Sequence, residues 1–319
     1  MIQLDHVTKL YKTVIGVNEI SLDLEPGTYG LLGPNGSGKT TLINLILGQL
    51  RPTIGTVRLF GKDPWARDYL LRRIGLCPSL EVSYPRVSAF QWVTYLVQLH
   101  GFSRHEAEQR ATKALSQVKL DYAMHRPMRN YSLGMRQRAK LAQAIAHDPD
   151  LLILDEPFNG LDPVGRADMK ELLQEWQQKG KSLILASHIL HEVEAVNPSF
   201  LLISGGRLLA SGSPQDVRSI LSDTPNTLRI RTDKPRELMQ AVAQMPIVDS
   251  VRFIEAGKNE QGHIEIDTRS SSRLLEELPR IVAENEIKIH EIQSADESLK
   301  HLFTTLMKIH RGETKGGLI

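Results

Sequence analysis

The stretch Gly33-Pro34-Asn35-Gly36-Ser37-Gly38-Lys39-Thr40 constrains this chain more than any other. It fits the pattern G-x-x-x-x-G-K-[ST]. It follows Thr28–Leu32, a short strand, and opens Lys39–Leu50, whose apolar residues recur at helical spacing. The glycines let the backbone curl until its N–H groups converge, and the helix aims its positive end at the same point. That point suits phosphate oxygens. Lys39 can reach the β- and γ-phosphates of a nucleotide, and the Thr40 hydroxyl can ligate Mg²⁺. A strand before the loop and a helix after it argue against a chance glycine turn.

Two further motifs bear on the same chemistry. Leu151–Leu154 is an uninterrupted apolar run, as a buried parallel strand would be, and it leads into Asp155-Glu156-Pro157. A carboxylate there is placed to hold Mg²⁺ through water, and Glu156 to take a proton from an attacking water. Taken alone, the two acids read equally as a solvated strand end. Tyr131-Ser132-Leu133-Gly134-Met135 precedes a helix with Arg136, Gln137 and Arg138 in its first turns. Ser132 is a good cap and Gly134 permits close backbone approach, which describes either a second anion-binding helix start or an ordinary capped helix.

Around these motifs the chain alternates strand and helix. Ile2–Val7, Val17–Leu24, Gly55–Phe60, Ser182–Ala186, Phe200–Ser204 and Arg207–Gly212 read as strands, and Pro163–Lys179 and Leu190–Ala195 as helices. Tyr84–His147 reads as helix throughout, including Ala89–Leu99, Arg104–Val118 and Met135–Ala146, a helical block set into an α/β frame. A boundary is expected near Ser222–Asn226, dividing residues 1–222 from 223–319. Beyond it the order is strand Thr227–Arg231, helix Pro235–Gln244, strands Val248–Glu255 and His263–Asp267, helix Ser271–Glu284 and strand Ile287–Ile292. That βαββαβ order suggests a small ferredoxin-like α+β domain. A last helix, Glu297–Ile309, carries the stripe Leu299, Leu302, Phe303, Leu306 and Met307.

Composition narrows the setting. With 319 residues and 41% hydrophobic side chains the chain can bury a sizeable core. Its 39 basic and 37 acidic residues leave a net charge of +2, so no nucleic-acid partner is expected. The single cysteine, Cys77, fits a reducing compartment. No run approaches the roughly 20 apolar residues that cross a bilayer, and Met1–Asp5 shows no secretory signal. Work at a membrane would require recruitment by another protein.

Together the motifs resemble the nucleotide-binding domain of ABC proteins, a P-loop NTPase fold with a helical subdomain, over about Met1–Ser222. Tyr131–Met135 is similar to that family's signature, in which one protomer closes over ATP held by the other's phosphate loop. The resemblance implies an ATPase that binds ATP and Mg²⁺. Gly33 to Thr40, Thr41, Ser132 and Gly134 would bind nucleotide, Thr40 and Asp155 would serve the metal, and Glu156 would be the base. His188 would be the switch residue at the γ-phosphate, Asp162 in Gly160-Leu161-Asp162-Pro163 the D-loop residue, and Tyr11 the adenine-stacking ring. Tyr11 alone reads equally as a half-buried strand-end tyrosine. His188, His191 and Glu192 also have helical metal-ligand spacing, with no further cluster to support it.

Leu133 and Met135 depart from the usual signature, and Tyr131-Ser132-x-Gly134-Met135-Arg136-Gln137-Arg138 resembles a bacterial branch that pairs a separate ATPase with a separate, often exporting, permease. That branch implies an integral membrane permease as partner, a second ATPase subunit in a homodimer, and a place on the cytoplasmic face of the membrane. Ser79, in Ile74-Gly75-Leu76-Cys77-Pro78-Ser79, stands where the family usually has a glutamine touching Mg²⁺ and water. Serine is too short to do both directly; Ser79 is itself a candidate metal residue, Glu81 nearby is a candidate substitute, and a bridging water is the other alternative. A non-transport or regulatory ABC ATPase is the rival reading. The short helical block and the single phosphate loop argue against chromosomal and ribosomal versions. A GTPase is disfavoured because the chain has no Asn-Lys-x-Asp.

Overall fold

The chain divides into two units, Met1–Pro214 and Gln215–Ile319. The computed structural model describes residues 1–65, 68–80, 84–194, 196, 199–213, 226–254, 262–268 and 270–294. The expected last helix with its apolar stripe, residues 222–225 of the expected boundary, and Glu81 lie outside the described residues.

The first unit is built on a six-stranded sheet. In chain order its strands are β3 (Thr28–Leu32), β5 (Ile74–Cys77), β6 (Leu151–Asp155), β7 (Ser182–Ser187), β8 (Phe200–Ser204) and β9 (Arg207–Gly212). They lie in the order β5-β6-β7-β3-β8-β9, parallel except for the β8–β9 hairpin. Every residue of β6 and β7 is buried, as strands covered on both faces require. A three-stranded antiparallel sheet, β2-β1-β4, is formed by β1 (Ile2–Tyr11), β2 (Val14–Leu24) and β4 (Ile54–Leu59). Helix α1 (Lys39–Ile46) packs between the sheets. Leu42, Ile43 and Ile46 join Ile2, Leu4 and Val17 on one side and Leu151, Ile153 and Ile184 on the other in one core.

Helix α1 is shorter than its sequence pattern suggests. Gly48 turns left-handed (φ 68°), and a Cβ there would meet Pro64 O at 2.4 Å, so the chain leaves the helix one turn early. Helix α2 (Asp68–Leu71) and β5 were not expected; at four residues each, both are too short for periodicity to show.

The helical block contains α3 (Ala89–Leu99), α4 (Arg104–Gln117) and α5 (Leu133–Ile145). Ser88 with Gln91 and Ser103 with Glu106 close capping boxes at the first two. Helix does not run throughout, contrary to expectation. Lys119 (φ 56°) ends α4, and only two single 3₁₀ turns, Asp121–Ala123 and Met128–Asn130, separate it from α5. Pro127 removes a donor between those turns. Helix α6 (Pro163–Gln178) follows β6, and the short α7 (Leu190–Glu194) follows β7.

The second unit contains β10 (Asn226–Thr232), α8 (Pro235–Val242), β11 (Val248–Ile254), β12 (His263–Thr268), α9 (Ser271–Glu284) and β13 (Ile289–Ser294). Its strands lie β11-β12-β10-β13, each antiparallel to its neighbour. Leu228, Ile230, Ile264 and Ile266 meet Leu238, Val242, Leu274 and Leu278 in a separate core. The last strand starts two residues later than its apolar run. Glu286 turns left-handed (φ 50°), and Ile287 is spent on the core.

Candidate active site at the strand ends

The carboxyl ends of β3, β6 and β7 lie side by side, the place where open parallel sheets bind ligands. The loop leaving β3 is pinned by its neighbours. Gly33 N donates to Ser187 O (3.3 Å), and Ser37 O accepts from Gly206 N (2.9 Å). Gly38 (φ 108°) turns the chain into α1, and an added Cβ would lie 2.4 Å from Gly16 O, so glycine is required there. Inside the loop, Ser37 Oγ is buried without a hydrogen bond. Such an orphan is costly unless a ligand supplies its partner.

Lys39 is buried at the start of α1. Its ammonium donates to Gly33 O (2.6 Å) and Pro34 O (3.3 Å) and stands 3.6 Å from Glu156 Oε1. Asp155 ends β6, and its Oδ2 accepts from both Thr40 Oγ1 and Ser79 Oγ, each at 3.0 Å. Three hard oxygens from three elements thus converge, a donor set suited to Mg²⁺.

Glu156 turns left-handed (φ 53°), a conformation that costs a non-glycine residue energy and collects at functional sites. Its N–H donates to Ala186 O (2.9 Å), which fixes the turn against β7. Its Oε2 lies 2.9 Å from His188 Nδ1. Its Oε1 is buried and makes no hydrogen bond. One carboxylate oxygen is therefore held while the other is left with accepting capacity.

Tyr11 ends β1, 43% exposed, with Lys9 Nζ 5.7 Å above its ring. The ring and Thr41 flank Gly16, whose added Cβ would lie 2.7 Å from Tyr11 Cε2 and 3.0 Å from Thr41 Cγ2. An exposed aromatic face thus sits beside the first turn of α1.

Ser132 and Gly134 form a second group with Gly160 and Asp162. Ser132 caps α5, accepting from Met135 N (3.2 Å). Asp162 caps α6, accepting from Gly165 N (2.9 Å). A Cβ on Gly134 would sit 3.4 Å from Gly160 O, and one on Gly160 would sit 2.3 Å from Leu133 Cγ. Leu133 therefore lies over Gly160.

Of the three residues at helical metal-ligand spacing, His188, His191 and Glu192, the two whose side chains are described are engaged elsewhere. Glu192 Oε2 accepts from Ser187 Oγ (2.8 Å), Oε1 accepts from Arg166 Nη1 (2.7 Å), and His188 faces Glu156. The His191 side chain lies outside what is described, and among the described residues no His, Cys, Asp or Glu cluster suits a metal. Sequence reasoning missed the tie from Arg166 through Glu192 to Ser187, whose hydroxyl also accepts from Ile189 N, so both neighbours of His188 are held. Its one sequence signal is a glutamate four residues after His188. Cys77 is sealed in the sheet, where burial pushes its thiol up to about 12, so it is no nucleophile.

Residues 17–159 match the ABC transporter family model. The chain is 34% identical over 219 residues to the Nod factor export ATP-binding protein I of Cupriavidus metallidurans, covering 68% of this chain and 72% of that one. It is 32% identical to the ABC transporter ATP-binding protein YxlF of Bacillus subtilis, covering 72% and 77%. A third relative, the ABC transporter ATP-binding protein sll0415 of Synechocystis, is 35% identical, and the match spans 66% of this chain and 62% of that protein. Among solved structures, an ATP-binding subunit of an ABC transporter superposes with a TM-score of 0.62 at 26% identity, covering 69% of this chain and 92% of that one. The dimeric cassette MJ0796, in a post-hydrolysis state bound to ADP and Pi, shares the fold with a TM-score of 0.62 at 23% identity, over 67% and 98%. The chain belongs to the ATP-binding proteins of ABC transporters, an ATPase family.

Proposed function

We propose that this chain hydrolyses ATP between two copies of itself to drive an integral membrane permease, with export as the direction. The carrying observation is that Lys39 stands 3.6 Å from the buried Glu156 Oε1, which makes no hydrogen bond, while His188 meets Oε2 and Thr40 bonds the adjacent Asp155. The loop Gly33–Thr40 receives the phosphates on its N–H groups and the Ser37 hydroxyl. Lys39 exchanges its carbonyl partners for β- and γ-phosphate oxygens. Thr40, Asp155 and Ser79 would hold Mg²⁺, which supplies charge neutralisation at the phosphates when bound. Glu156 Oε1 accepts the proton of the attacking water while His188 holds Oε2, and the same imidazole faces the γ-phosphate. Tyr11 stacks on the adenine. Ser132, Gly134 and Asp162 act on the nucleotide of the partner copy.

The export assignment draws on the Cupriavidus relative, whose name states export. The dimer draws on the fold shared with a dimeric cassette. No helix among the described residues is long and apolar enough to cross a membrane, which suits recruitment to the cytoplasmic face by a permease. The helical block of residues 84–147 is the docking element. We assign residues 1–222 to the ATPase domain and 223–319 to an accessory α+β domain. The strand order β11-β12-β10-β13 supports a ferredoxin-like fold for the latter.

Two substitutions test the site. Glu156→Gln keeps the shape and loses the base, so ATP stays bound, turnover falls by at least about a hundredfold, and ATP holds the dimer closed in sedimentation. Lys39→Ala loses nucleotide binding itself. Turnover near wild type in Glu156→Gln would remove Glu156 as the base.

A further inference from the structure

Helix α5 begins at Ser132, and one flank of it runs along the segment that leaves β5 toward Ser79. Three of its side chains, three residues apart, reach that segment. Gln137 Nε2 lies 3.9 Å from Cys77 Sγ, and Gln143 Nε2 donates to Leu76 O (2.5 Å). Between them, Lys140 Nζ donates to Pro78 O (2.8 Å) and Leu80 O (3.3 Å). Lys140 is only 5% exposed, and an ammonium so placed is tolerated only when hydrogen-bonded. Two of its acceptors are the carbonyls on either side of Ser79. The ammonium therefore bridges the neighbours of Ser79, while Ser79 Oγ donates to the Asp155 oxygen that also accepts from Thr40.

We propose that Lys140 is a positioning residue for Ser79. By holding the Pro78 and Leu80 carbonyls it sets the Ser79 hydroxyl against Asp155, and so fixes the oxygen cluster that would hold Mg²⁺. The inference rests on the assignment of Thr40 and Asp155 to the metal. The physical reason is reach: a long side chain searches for its partner by rotating, whereas the serine hydroxyl goes where the backbone puts it. A short residue at 79 therefore needs its flanking peptides clamped. Because α5 starts at Ser132, any displacement of that helix carries the clamp with it.

The test compares wild type, Ser79→Ala, Lys140→Met, Lys140→Gln and the Ser79→Ala/Lys140→Met double variant. Binding of Mn²⁺ in the presence of ADP is read by electron paramagnetic resonance, and ATP turnover is titrated with Mg²⁺. Ser79→Ala and Lys140→Met should each raise the half-saturating metal concentration about tenfold, the scale of one lost hydrogen bond. The double variant should match Ser79→Ala alone, because both changes remove the same contact. Lys140→Gln keeps two N–H donors and should recover most of the loss. Metal-free nucleotide affinity should stay unchanged in all of them. Lys140→Met with wild-type metal affinity, even if its urea midpoint drops, overturns the positioning role, as do multiplying effects in the double variant. Wild-type turnover indifferent to Mg²⁺ would overturn the metal assignment as well, which separates the two failures.

Discussion

Gly160 and Leu133 show how a single atom decides what a motif tolerates. Gly160 is left-handed (φ 76°), and its missing Cβ leaves room for Leu133, which is 51% exposed. Gly160→Ala should lower stability by about 2 kcal/mol in urea denaturation, from overpacking and backbone strain together. Leu133→Gly/Gly160→Ala removes the clash relative to Leu133→Gly alone and should leave about 1 kcal/mol from the backbone. If the alanine costs the same in both backgrounds, Leu133 is not what excludes a side chain at 160. At the same scale, His188 touches Glu156 through one nitrogen. His188→Ala should slow turnover by about a hundredfold or more without weakening ATP binding, measured by single-turnover kinetics against equilibrium binding.

At the scale of elements, the caps separate structural serines from the signature serine. Ser103 and Ser132 both accept from the third residue of their helices. Replacing either by alanine should cost about 1 kcal/mol of stability. Only Ser132→Ala should also slow hydrolysis, since only α5 would face a partner's nucleotide. Mixing a Gly134→Asp chain with a Lys39→Ala chain should then restore one competent site per dimer. Heterodimers that form and stay inactive would rule out the head-to-tail arrangement.

For the molecule as a whole, the stacked pair His100 and His147 ties acid stability to the fold. The rings lie 3.8 Å apart at 11°, and His147 Nε2 faces Ile74 O at 2.9 Å, so that nitrogen carries the hydrogen. Burial and the neighbouring His100 push His147 down to about 4 from its usual 6.5, against the opposing pull of the Ile74 carbonyl. Burial and Arg72 lower His100 as well. Below pH 6.5 the unfolded chain gains a proton that the folded chain resists. Stability should be level above that pH and fall by up to about 3 kcal/mol as pH drops to about 4. His147→Gln should flatten that slope, read from urea midpoints between pH 4.5 and 7.5. The second unit has its own core, so a chain ending at Pro214 should keep its nucleotide affinity, as measured by titration calorimetry.

Much of the first unit was legible because its signals are local. The glycine loop between an apolar strand and a helix, the apolar run into Asp155-Glu156, and Ser132 at a helix start are each contained within about a dozen residues. Hydrogen-bond needs and backbone freedom suffice to interpret them. What stayed hidden depends on partners far away in the chain. Strand β5 gains its identity from pairing with β6, and α1 stops where Gly48 meets Pro64. Glu192 is a salt-bridge partner of Arg166 rather than a metal ligand, and Lys140 is held by carbonyls 60 residues or more away. A sequence lists the groups that can donate and accept. Which of them meet is settled by the packing that buries them, because a buried polar group cut off from water can bond only with what the fold brings within reach.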